Sequence, residues 1–334
     1  MTRATVVAVD ELRDRLTRLL SATVLSETDA VRLAAYFVDA EVSGRTSHGL
    51  QRLAGLLAAL EGLDGPTRLE TRQHGPSAWS VEANGAPGLL AAQRAVELAM
   101  ASEATSVAAV GVTGFAGTTG ALGHFTDQVA RGGRIGLCMV ACESGVAPVG
   151  GIDPVLGTNP LAVSFPTDAD PVTVDISTAA VSYGTLQLLA RAGRPAPEGT
   201  VIDSAGRSST DPLAADSGAQ LPMAAHKGYG LGLVVELLAG AMLGAKVGRL
   251  AAPGTDGLLL VVAPVDQFRP RDLVMLDAGR LVEELRDSRP ADPAHPVRVP
   301  GDRAAKARHR SHTTGTVSLD ASLWDDLLAR TGGS

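Results

Sequence analysis

Gly44-Arg45-Thr46-Ser47-His48-Gly49-Leu50-Gln51-Arg52-Leu53 gathers a hydroxyl, an imidazole and a guanidinium in one short stretch. Gly44 can end a preceding helix, and Ser47 stands where a helix N-cap would stand. A helix starting near His48 carries His48 and Arg52 on one face, since residues four apart are neighbours there. Such a set suits a small carboxylate. Arginine grips a carboxylate through two parallel hydrogen bonds. Histidine, with an ordinary pKa near ~6.5, donates or accepts a proton close to neutrality. Serine can hold the imidazole in one tautomer. The same residue types also suit an ordinary helix start with an exposed His and Arg. The decapeptide alone leaves both possibilities open.

Working outward, Val9 to Leu20 and Glu27 to Val42 carry apolar residues at helical spacing, with Ser26 as a cap for the second. The helix from about His48 runs to Leu60, and Gly62 to Gly65 breaks it. Ser77 to Glu82 suits a strand, and Gly88 to Thr105 an alanine-rich helix. Ser106 to Val112, Ile135 to Ala141, Ala162 to Phe165, Val172 to Ile176 and Gly257 to Ala263 predict strands separated by Gly-, Pro-, Thr- and Asn-rich loops. The apolar run Tyr229 to Ala245, broken by Glu236, predicts a buried helix rather than a membrane span. Ala190 to Pro222 is polar and turn-rich, a surface excursion. Asp292 to His312 is basic and proline-marked, and a short helix starts near Asp320.

Composition narrows the class. The chain has 334 residues, 45% hydrophobic and 19% charged, with a mean hydropathy of +0.14, enough apolar material for a large core. Its 29 basic against 36 acidic side chains give a net charge of −7. That balance, with only 3% aromatics, argues against nucleic acid as a partner. No charged-then-apolar segment opens the chain. Cys138 and Cys142, close together in a predicted buried strand, read as reduced core residues, and a cytoplasmic location follows.

The common cofactor and nucleophile motifs are missing. No Gly-x-Gly-x-x-Gly follows a predicted strand. Gly117-x-x-Gly120-x-x-Gly123 lacks the first pair, and Gly228-x-Gly230-x-Gly232 lacks the last glycine. There is no Gly-x-Ser-x-Gly elbow and no phosphate-cradling Walker loop. His309-x-x-His312 lies in a basic segment and suits a solvated face better than a metal site.

Ser47-His48-Gly49-x-x-Arg52-Leu53 resembles the signature of the non-Rossmann malate/L-lactate dehydrogenase family, which includes ureidoglycolate and sulfolactate dehydrogenases and Δ1-piperideine-2-carboxylate reductases. Further segments match in order: Val146-Ala147-Pro148-Val149-Gly150-Gly151 leading to Leu156-Gly157-Thr158-Asn159-Pro160, then Val174-Asp175-Ile176-Ser177-Thr178, His226-Lys227-Gly228-Tyr229-Gly230 and Val299-Pro300-Gly301-Asp302. The resemblance implies an α/β fold in which a non-Rossmann NAD(P)-binding domain is inserted between N-terminal helices and a returning C-terminal segment. The corresponding divisions are 1–110, 111–290 and 291–334. It implies a homodimer and hydride transfer, with NAD(H) or NADP(H), at the carbon beside a carboxylate. By match to the reductase branch, His48 is the proton donor and Ser47 its relay partner. Arg52 holds the substrate carboxylate, and Thr158 touches substrate. The cofactor lies along Thr118, Thr119, Gly120, Ala121 and Leu122, on Asp175, Ile176 and Ser177, near Tyr183 and Gly184, and against Lys227. The Val299–Ala305 loop, with Arg303, completes its site.

The residues themselves are compatible with these roles. Lys227 precedes a glycine-rich helix start suited to an anion, though a surface lysine would look the same. Asp175 ends an apolar strand, where a carboxylate is costly unless paired, capping or exposed to a polar ligand. Thr158-Asn159-Pro160 is most simply a turn, and Arg303 suits either a phosphate or solvent.

One departure stands out. The family usually has Ser-Asn-His-Phe-Gly or Ser-His-His-Phe before the Cys138 strand, and its histidine is assigned as a proton acceptor in dehydrogenase members. Thr118 occupies that position here, and His124 is not a positional replacement. Threonine is no base near neutral pH. Three chemistries follow: His48 alone serving a 2-oxo or 2-hydroxy acid, reduction of an imine that already carries its proton, or cofactor binding without turnover.

Overall fold

The computed structural model describes residues 3–103 and 106–332. Its N-terminal part follows from apolar spacing. Strand β1 (Ala4–Ala8) leads into helix α1 (Val9–Ser21), which buries Leu12, Leu16 and Leu20, each four residues from the next as one helix face requires. Helix α2 (Glu27–Val42) starts on the expected cap: Ser26 Oγ accepts from the Asp29 N–H at 3.1 Å. Helix α3 (Leu53–Glu61) starts later than expected, because two short 3₁₀ turns, Thr46–His48 and Leu50–Arg52, intervene.

The centre is a mixed sheet. Strands β2 (Glu70–Gly75) and β3 (Ala78–Glu82) precede helix α4 (Gly88–Ala101) and strand β4 (Ala108–Thr113). Helix α5 (Leu122–Arg131), strands β5 (Arg134–Ala141), β6 (Leu161–Phe165) and β7 (Val172–Ile176), and helix α6 (Tyr183–Arg191) follow. The 190–222 excursion folds as a small sheet of β8 (Val201–Ile202), β9 (Ser208–Ser209) and β10 (Ala219–Gln220), with helix α7 (Ala214–Ser217). Helix α8 (His226–Val235) continues as a π-turn, Glu236–Gly240, before strand β11 (Gly257–Pro264). The seven-stranded order is β2-β3-β4-β11-β5-β6-β7. Only β3 and β4 pair in parallel. A dinucleotide fold of the Rossmann kind needs a mostly parallel sheet, so the missing glycine fingerprint and the topology agree.

Side chains on β11 alternate between two cores, as strand period demands. Leu258, Leu260 and Val262 join Cys138 and Val140 in the main core, while Leu259 faces Met139, Ala141, Val235 and Ala239 on the opposite side. Helices α4 and α5 cover the first face, and the π-turn after α8 covers the second. The expectation of a buried helix over Tyr229 to Ala245 is corrected here. Val235, Glu236, Ala239 and Gly240 are buried, but Leu231, Leu233, Val234, Leu237, Leu238 and Met242 are exposed. The segment lies on the sheet surface with only one side covered.

Four more elements close the chain: helix α9 (Arg271–Asp287), helix α10 (Asp302–Thr314), which arises within the basic segment, strand β12 (Thr316–Asp320) and helix α11 (Ala321–Thr331). Asp320 caps α11, accepting from the Ser322 N–H at 2.9 Å. The chain returns on itself. Strand β12 pairs antiparallel with β1, α11 packs on α1, and α10 packs on α2. The expected helix end at Thr105 lies outside the described residues; α4 ends at Ala101.

Candidate active site

Helix α2 ends where Gly44 takes a left-handed φ of +67°, a conformation glycine adopts without a Cβ penalty. Arg45 N–H then returns to the Ala40 carbonyl at 2.8 Å. This termination turns the following residues toward the sheet. Ser47 is not a helix cap, because it sits inside the first 3₁₀ turn. Its hydroxyl instead lies 3.0 Å from His48 Nδ1. Arg52 Nε donates to the Ser47 carbonyl at 3.1 Å, so the arginine is tied to the segment that holds the histidine. Beneath them Glu41, buried on α2, accepts from the Leu50 N–H at 2.7 Å. A Cβ on Gly49 would stand 2.1 Å from Glu41 Oε1, so only glycine lets the turn close over that carboxyl.

These residues open onto a cavity of about 680 Å³, a size typical of small-molecule sites. Its walls draw on several further parts of the chain. The 117–122 loop before α5 supplies Thr118, Thr119, Gly120, Ala121 and Leu122. The end of β7 supplies Asp175, Ile176 and Ser177, α6 supplies Tyr183 and Gly184, and the start of α10 supplies Arg303. Thr158 also lines it. The 117–122 loop is pinned by Tyr36 of α2, whose hydroxyl oxygen accepts from the Ala121 N–H at 2.9 Å. Gly120, at φ +73°, packs so close to that hydroxyl that a Cβ would stand 1.9 Å away. Thr118 Oγ1 accepts from the Gly120 N–H at 2.9 Å, so its oxygen serves its own loop.

Asp175 Oδ2 accepts from the Gly123 N–H at 2.8 Å and so caps α5 from across the sheet. Burial pushes its carboxyl above the ordinary range, against the opposing effects of that bond and of Arg45. Ser177 Oγ donates to the Thr158 carbonyl at 2.9 Å, binding the β7 end to the 156–160 loop. Asn159, at φ +37°, completes that turn: its side chain bridges the Cys142 N–H, the Gly232 carbonyl and Glu236. Arg52 lies against Gly184, where a Cβ would stand 2.4 Å from its Nη2.

The electrostatics of the cavity are lopsided. His48 is held down to about 4, first by burial and then by the cations Arg52 and Arg45. The imidazole is therefore neutral at pH 7. Asp256 also lines the cavity, and one of its carboxylate oxygens is buried without a partner. Burial, with Glu143 and Glu236 nearby, raises it to about 7.

Of the residues expected at the site, Lys227 is the one the structure leaves outside the cavity lining. It is exposed on the first turn of α8, next to Gly228, which packs against the Thr178 carbonyl. Two left-handed non-glycine residues, Ala224 (φ +45°) and Ala225 (φ +51°), aim that helix start, a strained geometry that surrounding contacts must hold. His124 is also outside: its Nδ1 meets Asp39 at 2.7 Å beneath the loop. Cys142 lies just past β5, lines the cavity and, like Cys138, is a free thiol. Sequence reasoning missed Glu41, Arg45, Tyr36 and Asp256. Glu41 was legible only as a charge inside an apolar helical run; the others carry no local signal.

The comparisons with known proteins bear on the whole chain. The malate/L-lactate dehydrogenase family profile matches residues 7–328. The chain is 31% identical over 333 residues to a malate/(S)-sulfolactate dehydrogenase of Methanothermus fervidus, covering 96% of each chain. It is 31% identical over 338 residues to a Δ(1)-pyrroline-2-carboxylate reductase 2 of Burkholderia multivorans, covering 98% of this chain and 97% of that one. The crystal structure of the Δ1-piperideine-2-carboxylate reductase of Pseudomonas syringae pv. tomato superposes with a TM-score of 0.85 at 29% identity, over 98% of this chain and 99% of that one. With the motifs, the mixed sheet and full-length similarity in agreement, the chain belongs to the malate/L-lactate dehydrogenase family of oxidoreductases.

Proposed function

We propose that the protein transfers a hydride between a nicotinamide cofactor, NAD(H) or NADP(H), and the α-carbon of a small 2-oxo or 2-hydroxy carboxylate. The observation that carries this reading is one cavity joining the Ser47–His48–Arg52 set to the 117–122 loop and the β7 end. In this reading region 1–110 provides the proton-transfer and carboxylate-binding groups. Region 111–290 provides the cofactor wall, and region 291–334 returns to close it. The cavity's size and the start of α10, where the first N–H groups lack helical partners, fit a dinucleotide with its phosphates.

The bound nicotinamide supplies the hydride; the protein supplies position and protons. Arg52 binds the substrate carboxylate through its free Nη atoms while Nε stays on Ser47. Thr158 lies at hand for a second polar contact. In the oxidising direction His48, unprotonated at neutral pH, accepts the hydroxyl proton. In the reducing direction His48 must first be protonated. A bound carboxylate favours that, because it offsets the positive charge of Arg52 that holds the imidazolium back.

A second reading rests on Thr118 and His48. The Thr118 oxygen accepts from its own loop and His48 is neutral at pH 7. An iminium substrate brings its own proton and needs neither group as an acid. Reduction of a cyclic imino carboxylate, the substrate class named for the Burkholderia relative, is therefore the alternative. Two free cysteines support a cytoplasmic location. The exposed apolar side of α8 supports a homodimer.

A panel of 2-oxo acids, including those of malate and sulfolactate, and of cyclic imino acids separates the readings. Consumption of reduced cofactor is followed by absorbance. Turnover of oxo acids supports the main reading, and turnover of imines alone supports the second. Cofactor binding without turnover of any member would overturn both in favour of a binding protein.

A further inference from the structure

A second cavity, of about 700 Å³, adjoins the first and shares Ser43, Gly44 and Arg303 with it. Its charge is one-sided. Arg286, Arg298, Arg303, Lys306 and Arg310 line it, and Asp302 is its one acidic side chain. Asp302 is already satisfied: Arg286 Nη2 lies 2.6 Å from one carboxylate oxygen and the Val299 N–H donates to the other at 2.9 Å. That leaves Arg298, Arg303, Lys306 and Arg310, none of which makes an ion pair among the described residues. Of the other arginines around the main cavity, Arg52 also lacks an ion pair among the described residues, whereas two are compensated. Arg45 and Arg308 both face Asp127, and Arg308 also faces Asp39.

Four uncompensated cations in a chain of net charge −7 are a costly concentration of like charge unless an anion spends time among them. Three of the four, Arg303, Lys306 and Arg310, ride on α10, whose start already faces the main cavity. Lys306 and Arg310 are four residues apart and share one helix face, and Arg298 stands on the loop leading into that helix. A compact, doubly charged phosphomonoester fits such a set, since guanidinium groups form paired charge-assisted hydrogen bonds with phosphate oxygens. A neutral or diol-bearing group does not.

We propose that this basic cavity holds the 2′-phosphate of NADP(H), so that the protein selects the phosphorylated cofactor over NAD(H). The assignment rests on the nicotinamide-dependent reading above. The dinucleotide then runs from His48 past Arg303, and its ribose phosphate enters between Arg298, Lys306 and Arg310. Lys227, outside the cavity lining, has no part in the selection.

Direct binding tests it without turnover. The affinities of NADPH, NADH, 2′,5′-ADP, 5′-ADP and inorganic phosphate are measured by calorimetry on the wild type and on an Arg298→Ala/Arg310→Ala variant. Both substituted side chains are exposed, and circular dichroism checks the fold. Losing two charge-assisted contacts should weaken NADPH and 2′,5′-ADP by ~10-fold or more. NADH and 5′-ADP should change by no more than about threefold. Wild-type protein that binds NADH as tightly as NADPH, or a variant that keeps its NADPH affinity, overturns the assignment and leaves the hydride-transfer reading standing. Inorganic phosphate as strong as 2′,5′-ADP also overturns it, since the site would then be a separate anion site. Absence of binding by either dinucleotide overturns both the assignment and the reading beneath it.

Discussion

Arg52 acts on two neighbours at once, and a substitution separates the effects. It offers the substrate a carboxylate grip, and its charge helps hold His48 at about 4. Arg52→Ala should therefore raise KM by ~10–100-fold through loss of charge-assisted bonds, with little change in cofactor affinity. It should also raise the His48 pKa, read from the imidazole proton resonances. An unmoved resonance with a collapsed cofactor affinity would place Arg52 on the cofactor instead. Glu41 makes a different prediction. Burial raises its carboxyl from 4.5 to about 7, so the folded state prefers it protonated. Its contribution to stability therefore falls as pH rises from about 4.5 through about 7. Glu41→Gln keeps an oxygen for the Leu50 N–H and should flatten that part of the profile, measured as denaturation midpoints at pH 5 and 8. Asp256, also raised to about 7, keeps its share of the dependence. A variant whose loss between those pH values equals the wild type's would show that Glu41 does not titrate there. Of this site, His48, Ser47 and Arg52 were legible because the residues holding the reacting groups are sequence neighbours. Arg45 and Asp256 were not, because they reach the cavity only through the end of α2 and the approach to β11, and Glu41 was not, because it supports the turn from beneath.

Among the elements, regular spacing made α1, α2 and the strands β3, β5, β6, β7 and β11 readable, with Ser26 and Asp320 as working caps. The edge elements are not legible: β1 and β2 are mostly exposed, which erases the alternation that marks a strand, and β12 alternates only through Val317 and Leu319, too short a run to stand out before α11. Helix α8 shows the opposite: its apolar run predicts burial, yet much of it faces outward. Leu231, Val234, Leu238 and Met242 remain exposed. A stripe of that kind on a folded subunit marks an association surface. If the proposed homodimer forms through this stripe, Val234→Asp with Leu237→Asp should yield a monomer, read by light scattering, with secondary structure unchanged. A wild-type protein that already runs as a monomer, or a dimeric double variant, would rule out α8 as the contact.

At the scale of the molecule, one side chain ties the returning C-terminal segment to the floor of the active site. Arg308 of α10 meets Asp127 of α5 at 2.8 Å and Asp39 of α2 at 3.3 Å, and donates to Ser43 Oγ at 2.8 Å. Asp127 in turn receives the Thr173 hydroxyl from β7. Asp39 is held down to about 2: burial opposes this, but the His124 hydrogen bond and charge, and then Arg308, overcome it. A carboxyl lowered in this way contributes stability that is present above its ordinary pKa and is lost as pH falls toward 2. Removing Arg308 leaves two largely buried carboxylates short of a cation. Arg308→Met keeps much of the volume and should cost ~3 kcal/mol in urea unfolding at neutral pH, as breaking a buried pair does. The acid limb of the stability profile should also move toward higher pH, since Asp39 loses one of its three supports. Because α10 also carries Arg303 and the basic side chains beside it, the same variant should weaken dinucleotide binding although Arg308 lines neither the main cavity nor the basic one. A variant that loses stability yet binds cofactor as the wild type does would confine Arg308 to the fold. One that loses neither would show that the β1–β12 pairing and the α1–α11 packing hold the returning segment without it.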